Sequence, residues 1–140
     1  MDTSKVEIEL VKEIHRLFKG SGLRLSVAES CTGGLISHLI TSRPGASDFF
    51  DSSVVCYSIE SKTELLEISK AVIKKHGVIS EEVAREMAVA VRKKRHTDFS
   101  LATTGNLGPD TLEDKHAGLI YVSVDSKNGA VSKCLRLNGR

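Results

Sequence analysis

The chain has 140 residues, with 20 Lys and Arg against 18 Asp and Glu, a formal net charge of +2, and 4% aromatic residues with no Trp. Its length predicts a single domain over residues 1–140 with a core of its own. The balanced charge and the few aromatic rings argue against nucleic acid as a partner, because such binding needs a basic surface or stacking side chains.

Cysteine usage and hydropathy limit the expected cellular setting. Cys31, Cys56 and Cys134 are odd in number and widely spaced, which argues against a disulfide framework and against a structural zinc site. The first residues are charged and periodic, where a signal peptide would carry an apolar block, and no apolar run is long enough to span a membrane. We therefore expect a soluble cytoplasmic protein without a membrane partner.

Helical and strand patterns alternate along the first half of the chain. Apolar residues at three- and four-residue steps predict an amphipathic helix over 6–18, which the following glycines end. The elements expected next are a strand over 23–28, a helix over 35–41, a helical turn over 46–50 and a strand over 51–57.

The second half begins with helices and ends with strands. Helical patterns occur around 65–68, over 72–77 and over 80–95. Strands are expected over 98–104, 119–124 and 131–137, and the last two are joined through a turn at 126–129. This order predicts an α/β fold with a mixed sheet, helices on both faces and a C-terminal β-hairpin.

Polar side chains collect where three predicted strands end. Ser30 follows the first strand, Tyr57 and Lys62 follow the second, and Thr104 ends the third. In open α/β sheets, ligands bind beyond the carboxyl ends of the strands. Because these loops need only turn residues and have instead a hydroxyl, a phenol and an amine, we predict a functional site at this edge.

The turn over 28–34 is the loop around which the predicted chemistry is arranged. A strand that ends in small and polar residues before a helix exposes backbone N–H groups, which can stabilise an oxyanion. Ser30 would be the nucleophile and Lys62 its base, if burial leaves the amine neutral, while Tyr57 would relay the proton or orient the amine. The residues alone leave two alternatives open: Ser30 or Thr32 only caps the helix, and Lys62 is an exposed lysine on a helix face.

Six segments together resemble the CinA C-terminal domain family, the nicotinamide mononucleotide deamidases. They are 28–34, 44–47, 57–62, 76–80, 84–88 and 104–109, in the family's order, and the resemblance extends from about Val6 to the C-terminus. It implies a three-layer α/β/α sandwich that hydrolyses the carboxamide of nicotinamide mononucleotide to nicotinate mononucleotide and ammonia. It further implies a pyridine nucleotide as the small-molecule partner, no metal or organic cofactor, and a homo-oligomer.

The resemblance also implies roles for single residues. Ser30 is implied to be the nucleophile, Lys62 the base, Tyr57 a third catalytic member and Thr104 a site residue. Arg140 would face the substrate phosphate or close the site, and family members continue beyond this point into a further helix, so we expect an uncovered flank of the sheet unless another subunit covers it. The complete set of predicted substrate-binding residues is Glu29, Cys31, Thr32, Gly33, Gly34, Ser47, Thr104, Gly105 and Arg140.

Several positions near the predicted site differ from the family pattern. Ser52-Ser53 stands where an Arg-Gly pair is usual, and Ile59 where an Asn is usual. Within 106–112, Asp110-Thr111-Leu112 replaces a Gly-Gly pair that would let backbone amides approach a phosphate. These differences keep a second hypothesis open, a non-catalytic module that binds or senses a nucleotide. A third hypothesis is thiol chemistry at Cys31, because a helix N-terminus can lower the pKa of a thiol.

Overall fold

The structure, a computed structural model, describes residues 2–110 and 112–138. Its elements are α1 (Thr3–Phe18), β1 (Leu25–Glu29), α2 (Leu35–Thr41), a 3-10 turn (Ala46–Asp48), β2 (Phe50–Val55), α3 (Ile59–Leu66), α4 (Lys70–His76), α5 (Glu81–Arg95), β3 (Phe99–Asn106), β4 (Leu119–Ser126) and β5 (Gly129–Arg136). The predicted order of helices and strands is confirmed. β3 runs two residues past its predicted end, because Gly105 and Asn106 pair with Ile120 and Leu119 of β4.

The five strands form one open sheet in the order β2-β1-β3-β4-β5. β1 is parallel to both of its neighbours, whereas the β3–β4 and β4–β5 pairs are antiparallel. All residues of β1 are buried, as expected for a central parallel strand. Because β1, β2 and β3 run in the same direction, the loops that follow Glu29, Val55 and Asn106 meet at one edge of the sheet.

Helices pack on both faces of this sheet, which confirms the three-layer α/β/α sandwich. α1 and α2 enclose a cluster that contains Val27, Ile40 and Phe49. On the other face α3, α4 and α5 enclose a second cluster, which contains Val83 and Met87. Burying a large apolar side chain of this kind stabilises the fold by about 1.5–3 kcal/mol relative to leaving it exposed.

Within residues 2–110 and 112–138, no helix covers the α1 face of the sheet over β4 and β5, and we call this part of the face bare. Leu101, Val124 and Val131 lie directly opposite one another on three neighbouring strands, so their side chains share this face. Val124 is 39% and Val131 is 75% exposed. The predicted helical cover on both faces therefore holds for β1 and β3, and the uncovered flank that we expected lies at the C-terminal hairpin.

Candidate active site

Ser30 and Lys62 lie together at the carboxyl edge of the parallel strands. Lys62 Nζ donates to Ser30 Oγ at 2.8 Å and to the carbonyl oxygens of Cys56 and Tyr57 at 2.8 and 3.3 Å. Lys62 is 1% exposed and Ser30 6% exposed. The alternative in which Lys62 is an exposed lysine on a helix face is therefore wrong.

Lys62 enters the site because α3 begins just after β2. Ser58 caps this helix: its hydroxyl accepts from the Ser61 N–H at 2.9 Å, and the Ser58 N–H donates to the Ser61 hydroxyl at 3.0 Å. The Cys56 N–H donates to the carbonyl of Glu29 at 2.8 Å and holds the ends of β1 and β2 together. The first turn of α3 then directs Lys62 back over the end of β1.

Burial is the main influence on the protonation of Lys62. It lowers the pKa of the amine below the ordinary 10.5, because the charged form loses its hydration, while Cys56, Cys31 and Glu113 act in the opposite direction. A lowered pKa increases the fraction of neutral amine near neutral pH. Lys62 therefore has the environment that a lysine acting as a general base requires.

Glu29 caps α2 instead of facing the site. Its carboxylate accepts from the N–H groups of Gly34, Ile36 and Ser37 at 3.2, 3.0 and 3.0 Å, and from the Ser37 hydroxyl at 2.6 Å. Burial acts to raise the pKa of Glu29, but hydrogen bonds from Ser37, Thr32 and the backbone outweigh it, so the pKa is lowered. Glu29 is 0% exposed, so its carboxylate does not face the cavity as a substrate-binding residue would. The alternative of a hydroxyl cap on α2 is wrong, because no hydroxyl caps this helix.

The turn before α2 has fewer available amides than predicted. The Gly33 N–H donates to the carbonyl of Ser30 at 3.1 Å, and the Gly34 N–H is used by the capping carboxylate. Within residues 2–110 and 112–138, no backbone carbonyl accepts from the N–H groups of Cys31 and Thr32. The predicted oxyanion-binding set is therefore reduced to these two amides.

Thr103 supports this turn from the neighbouring strand. Its hydroxyl accepts from the Ser30 N–H at 3.4 Å and hydrogen-bonds to the Thr32 hydroxyl at 2.9 Å. Burial raises the pKa of the Cys31 thiol, against opposing effects of Thr103 and Lys62. The lowered pKa expected for Cys31 is thus wrong, which removes the support for the thiol hypothesis.

Tyr57 and Thr104 both lie beside the Ser30–Lys62 pair, but their side-chain hydroxyls are not bonded to the Lys62 amine. Tyr57 is 72% exposed, its carbonyl accepts from Lys62, and its phenol makes no hydrogen bond to any residue of the described ranges. Thr104 is buried, and its hydroxyl donates to the carbonyl of Val78 at 2.9 Å, away from the amine. A proton relay through the Tyr57 phenol is therefore not part of this conformation.

The other predicted substrate-binding residues divide by location. Gly105 borders the site, but it also permits strand pairing, since a Cβ there would lie 2.6 Å from the carbonyl oxygen of Leu119. Ser47 lies in the 3-10 turn that precedes β2. This turn is at the opposite edge of the sheet, because the Phe49 carbonyl that follows it accepts from the N–H of Leu25, the first residue of β1. The assignment of Ser47 to the site within one chain is therefore wrong. Arg140 lies outside the described residues.

A cavity of about 140 Å³ opens beside the Ser30–Lys62 pair. Larger grooves exist elsewhere on the surface, but this cavity contains the proposed nucleophile and base. Its lining consists of Ser30, Cys31, Tyr57, Lys62, Val78, Ile79, Thr104, Gly105, Asn106, Leu107, Gly108 and Leu112.

Within the described part of the chain, no group of three or more His, Cys, Asp or Glu side chains is placed to hold a metal ion, and no helix is both long and apolar enough to cross a membrane.

Asn106 is a structural residue of this cavity that the sequence showed only as a departure from a family pattern. Its amide nitrogen donates to the carbonyl of Asp110 at 2.7 Å, and its amide oxygen accepts from the Gly108 N–H at 2.8 Å. The signal that could have revealed this role is the spacing of Asn and Gly, which is typical of an Asx turn. Asn106 thus shapes the loop that borders the cavity.

The fold and site define an open α/β/α sandwich with a buried serine–lysine pair at the carboxyl ends of its parallel strands. The sequence model of the CinA C-terminal domain matches residues 7–140, and the chain belongs to this family. A CinA-like protein of Shewanella denitrificans is 43% identical over 133 residues, which are 94% of this chain and 31% of that protein. The chain thus spans about a third of the length of such curated relatives.

Solved structures of the same superfamily share the fold. The competence damage-inducible protein A from Klebsiella pneumoniae has a TM-score of 0.92 and 28% identity, with 95% of this chain and 83% of that chain covered. The competence/damage inducible protein CihA from Agrobacterium tumefaciens has a TM-score of 0.90 and 31% identity, with 96% and 84% covered. The similarity therefore extends over nearly the whole sheet and both helical layers.

Proposed function

We propose that this chain is an amidohydrolase that uses Ser30 and Lys62 to cleave the carboxamide of nicotinamide mononucleotide. The observation that carries the proposal is the 2.8 Å contact between a buried amine and a hydroxyl at the entrance of a helix. The choice of substrate rests on the family motifs, because the names of the relatives refer to competence and damage induction.

The neighbours of Lys62 suit a neutral amine. A neutral amine has two N–H donors and one lone pair. If the two N–H groups donate to the carbonyls of Cys56 and Tyr57, the lone pair points at Ser30, and the serine hydroxyl then donates to Lys62 Nζ. Both carbonyls thereby orient the base toward the proton that it must accept.

The proposed reaction has two proton transfers in each half. Lys62 takes the hydroxyl proton as Ser30 Oγ attacks the amide carbon, and the N–H groups of Cys31 and Thr32 stabilise the oxyanion. The protonated Lys62 then gives its proton to the leaving nitrogen, which departs as ammonia and leaves an ester on Ser30. Lys62 next deprotonates a water molecule that attacks this ester, and returns the proton to Ser30 Oγ as the carboxylic acid leaves.

The size of the cavity fits one end of the proposed substrate. Pockets that enclose an entire drug-sized ligand usually measure about 300–1,000 Å³, whereas this cavity is about 140 Å³. It can therefore take the carboxamide and the adjoining edge of the ring, while the ribose phosphate stays outside. The exposed ring of Tyr57 at the mouth offers an aromatic surface against which that part can pack.

Ammonia release from nicotinamide mononucleotide tests the proposal. Ser30→Ala and Lys62→Met should each lower kcat/KM by roughly 10³-fold or more, as expected when a nucleophile or its base is removed. Matched controls are Ser47→Ala, at the opposite edge of the sheet, and Lys75→Met, on the exposed side of α4. Undiminished release in both site variants, or equal losses in the controls, would contradict the assignment.

A second candidate is the non-catalytic nucleotide-binding module. The observation that favours it is the loop held by Asn106, which borders the cavity and differs from the family pattern. This candidate predicts a rise in Tm with nicotinamide or nicotinate mononucleotide and no turnover, so measured turnover would exclude it. Self-association, which the resemblance implies, is tested separately by sedimentation velocity at several protein concentrations.

A further inference from the structure

The loop that connects β3 to β4 covers the cavity that contains Lys62. We call its described residues 107–110 and 112–117 the cover loop. Leu107, Gly108 and Leu112 of the cover loop line the cavity, facing Ile79 from the segment before α5. The cover loop therefore forms one wall of the space around the amine, and its position decides how much water reaches that space.

Two side chains fasten the cover loop to residues 76–79. The Glu113 carboxylate accepts from the N–H groups of Val78 and Ile79 at 2.8 and 3.3 Å. Lys115 Nζ donates to the carbonyl of His76 at 3.2 Å and to the carbonyl of Ile79. Lys115 Nζ also lies 3.3 Å from Glu113 Oε2. We call this pair the clasp.

The segment that receives the clasp is shaped for it at Gly77. Gly77 has φ +83, a left-handed conformation that residues with a side chain rarely adopt. A Cβ at this position would collide with the Glu113 carboxylate and lie 2.9 Å from Lys115 Nζ. The absence of a side chain at Gly77 thus leaves the space that the clasp occupies.

The backbone that presents Glu113 is itself strained. Leu112 and Lys115 exchange backbone hydrogen bonds of 3.2 and 2.9 Å around a two-residue turn. Both residues of the turn, Glu113 and Asp114, have positive φ, +55 and +57, where Asn and Gly are the usual residues. Such conformations are strained and persist where other contacts hold them. The clasp supplies such contacts here, and Asn106 Nδ2, which donates to the carbonyl of Lys115 at 3.4 Å, supplies another.

We propose that Glu113 and Lys115 are positioning residues, which hold the cover loop against 76–79 and so keep water away from Lys62. The proposal rests on the proposed role of Lys62 as the base. Without the clasp, Leu112 would move away from Ile79, and water would then reach the Lys62 amine. The structure thereby links the protonation of Lys62 to two side chains that make no contact with it.

For Glu113→Ala, the loss of the charge and the opening of the cover loop predict opposite changes in the pKa of Lys62. The titratable groups that influence Lys62 are Cys56, Cys31 and Glu113. Removing the Glu113 carboxylate takes away a negative charge that favours the ammonium form, so through charge alone the pKa of Lys62 would fall. Opening of the cover loop hydrates the ammonium form, so the pKa would rise. The direction of the change therefore identifies the cause.

The test is competitive acetylation of Lys62 in the full chain across a range of pH, with the extent of labelling read from peptide masses. The midpoint reports the pKa of the amine, and the plateau at high pH reports its accessibility. We expect Glu113→Ala and Lys115→Met each to raise the plateau and to move the midpoint upward by about one pH unit, a tenfold decrease in neutral amine near neutral pH. Asp114→Asn is the matched control, because Asp114 lies in the same turn and makes no hydrogen bond or ion pair within the described residues.

The outcomes separate the clasp from the proposed reaction. An unchanged midpoint and plateau in both clasp variants, or a lower midpoint in Glu113→Ala, would overturn the clasp. If Glu113→Ala does not fold, Lys115→Met and the milder Glu113→Gln decide the question. Because labelling needs no substrate, a protein that fails to release ammonia would refute the proposed function and still give a result for the clasp. With turnover, the clasp variants should lose kcat at neutral pH and regain it as the pH is raised.

Discussion

At the scale of the residue, Lys62 should determine how activity depends on pH. Its burial lowers the pKa of the amine, so the neutral form appears at a lower pH than it would for a lysine with the ordinary pKa of 10.5. We expect kcat/KM to rise with pH and to reach a plateau above the lowered pKa, since only the neutral form accepts the serine proton. Lys62→Arg should abolish the rise together with the activity, because arginine stays protonated. A flat profile across the range below 10.5 would contradict this role.

The same residue makes a prediction about stability that needs no substrate. The unfolded chain binds a proton at Lys62 with the ordinary pKa of 10.5, and the folded chain binds it less tightly. Between the two pKa values the unfolded state therefore holds more protons, and stability rises with pH. We expect the unfolding free energy of the natural chain, relative to Lys62→Met, to increase as the pH is raised from 7 to 10. Urea denaturation at each pH measures this. A difference in unfolding free energy that stays constant with pH would show that the pKa of the Lys62 amine is not shifted.

The sequence alone could identify Ser30 and Lys62 but not the positions of their neighbours. Ser30 follows a strand that the pattern predicts, whereas Lys62 lies in the first turn of α3, before the helical pattern that the sequence shows around 65–68. Glu29 was misplaced because an acid before a turn has no feature that shows which way it points, and here it turns toward the amides of α2. Ser47 was misplaced because a short motif carries no information on which edge of the sheet it lies. Glu113 was missed because its partners are backbone amides more than thirty residues away in the chain.

At the scale of the element, the cap on α2 controls the turn that holds the nucleophile. Glu29→Gln keeps one oxygen acceptor but removes the charge that three backbone N–H groups share. We expect the free energy of unfolding to fall by about 1–3 kcal/mol, the range for weakening buried hydrogen bonds to a charged group. Urea denaturation measures this, with Glu64→Gln on the exposed side of α3 as the control.

The pH dependence of this loss follows from the lowered pKa of Glu29. A carboxyl group with a lowered folded pKa contributes stability above its ordinary 4.5, and that contribution disappears as the pH falls through the folded value. The difference between the natural chain and Glu29→Gln should therefore be full at neutral pH and shrink in acid. A difference that grows in acid would contradict the assigned role.

Helices and strands were predictable where side chains repeat with a clear period, and less so at the site. The start of α3 was missed because Lys62 stands on its buried face, where the helical pattern requires an apolar residue. The end of β3 was missed because Thr-Gly-Asn is typical of a turn. Here Gly105 allows the backbone of β4 to approach, and the pairing continues through Asn106. Both errors fall at the site, where chemistry replaces the residues that the periodic pattern favours.

At the scale of the whole molecule, the sheet is unequally protected from one side to the other. β1 pairs with strands on both sides, all its residues are buried, and both helical layers pack on it. Among the described strands β5 pairs with β4 alone, and its Val131 belongs to the bare part of the α1 face. The edge with the candidate site is built on the protected strands β1, β2 and β3, so opening of the hairpin should leave Ser30 and Lys62 in place.

Hydrogen exchange measures this difference directly. We expect the amides of β1 to exchange only when the whole domain unfolds, whereas those of β5 should exchange by local opening, at rates faster by several orders of magnitude. If β5 is instead as slow as β1, its bare face must be covered in solution, since one neighbouring strand cannot give that protection. Repeating the experiment at a lower protein concentration then separates the causes. Protection that is lost on dilution comes from a second copy of the chain, and protection that persists shows that the hairpin and the catalytic edge unfold as one unit.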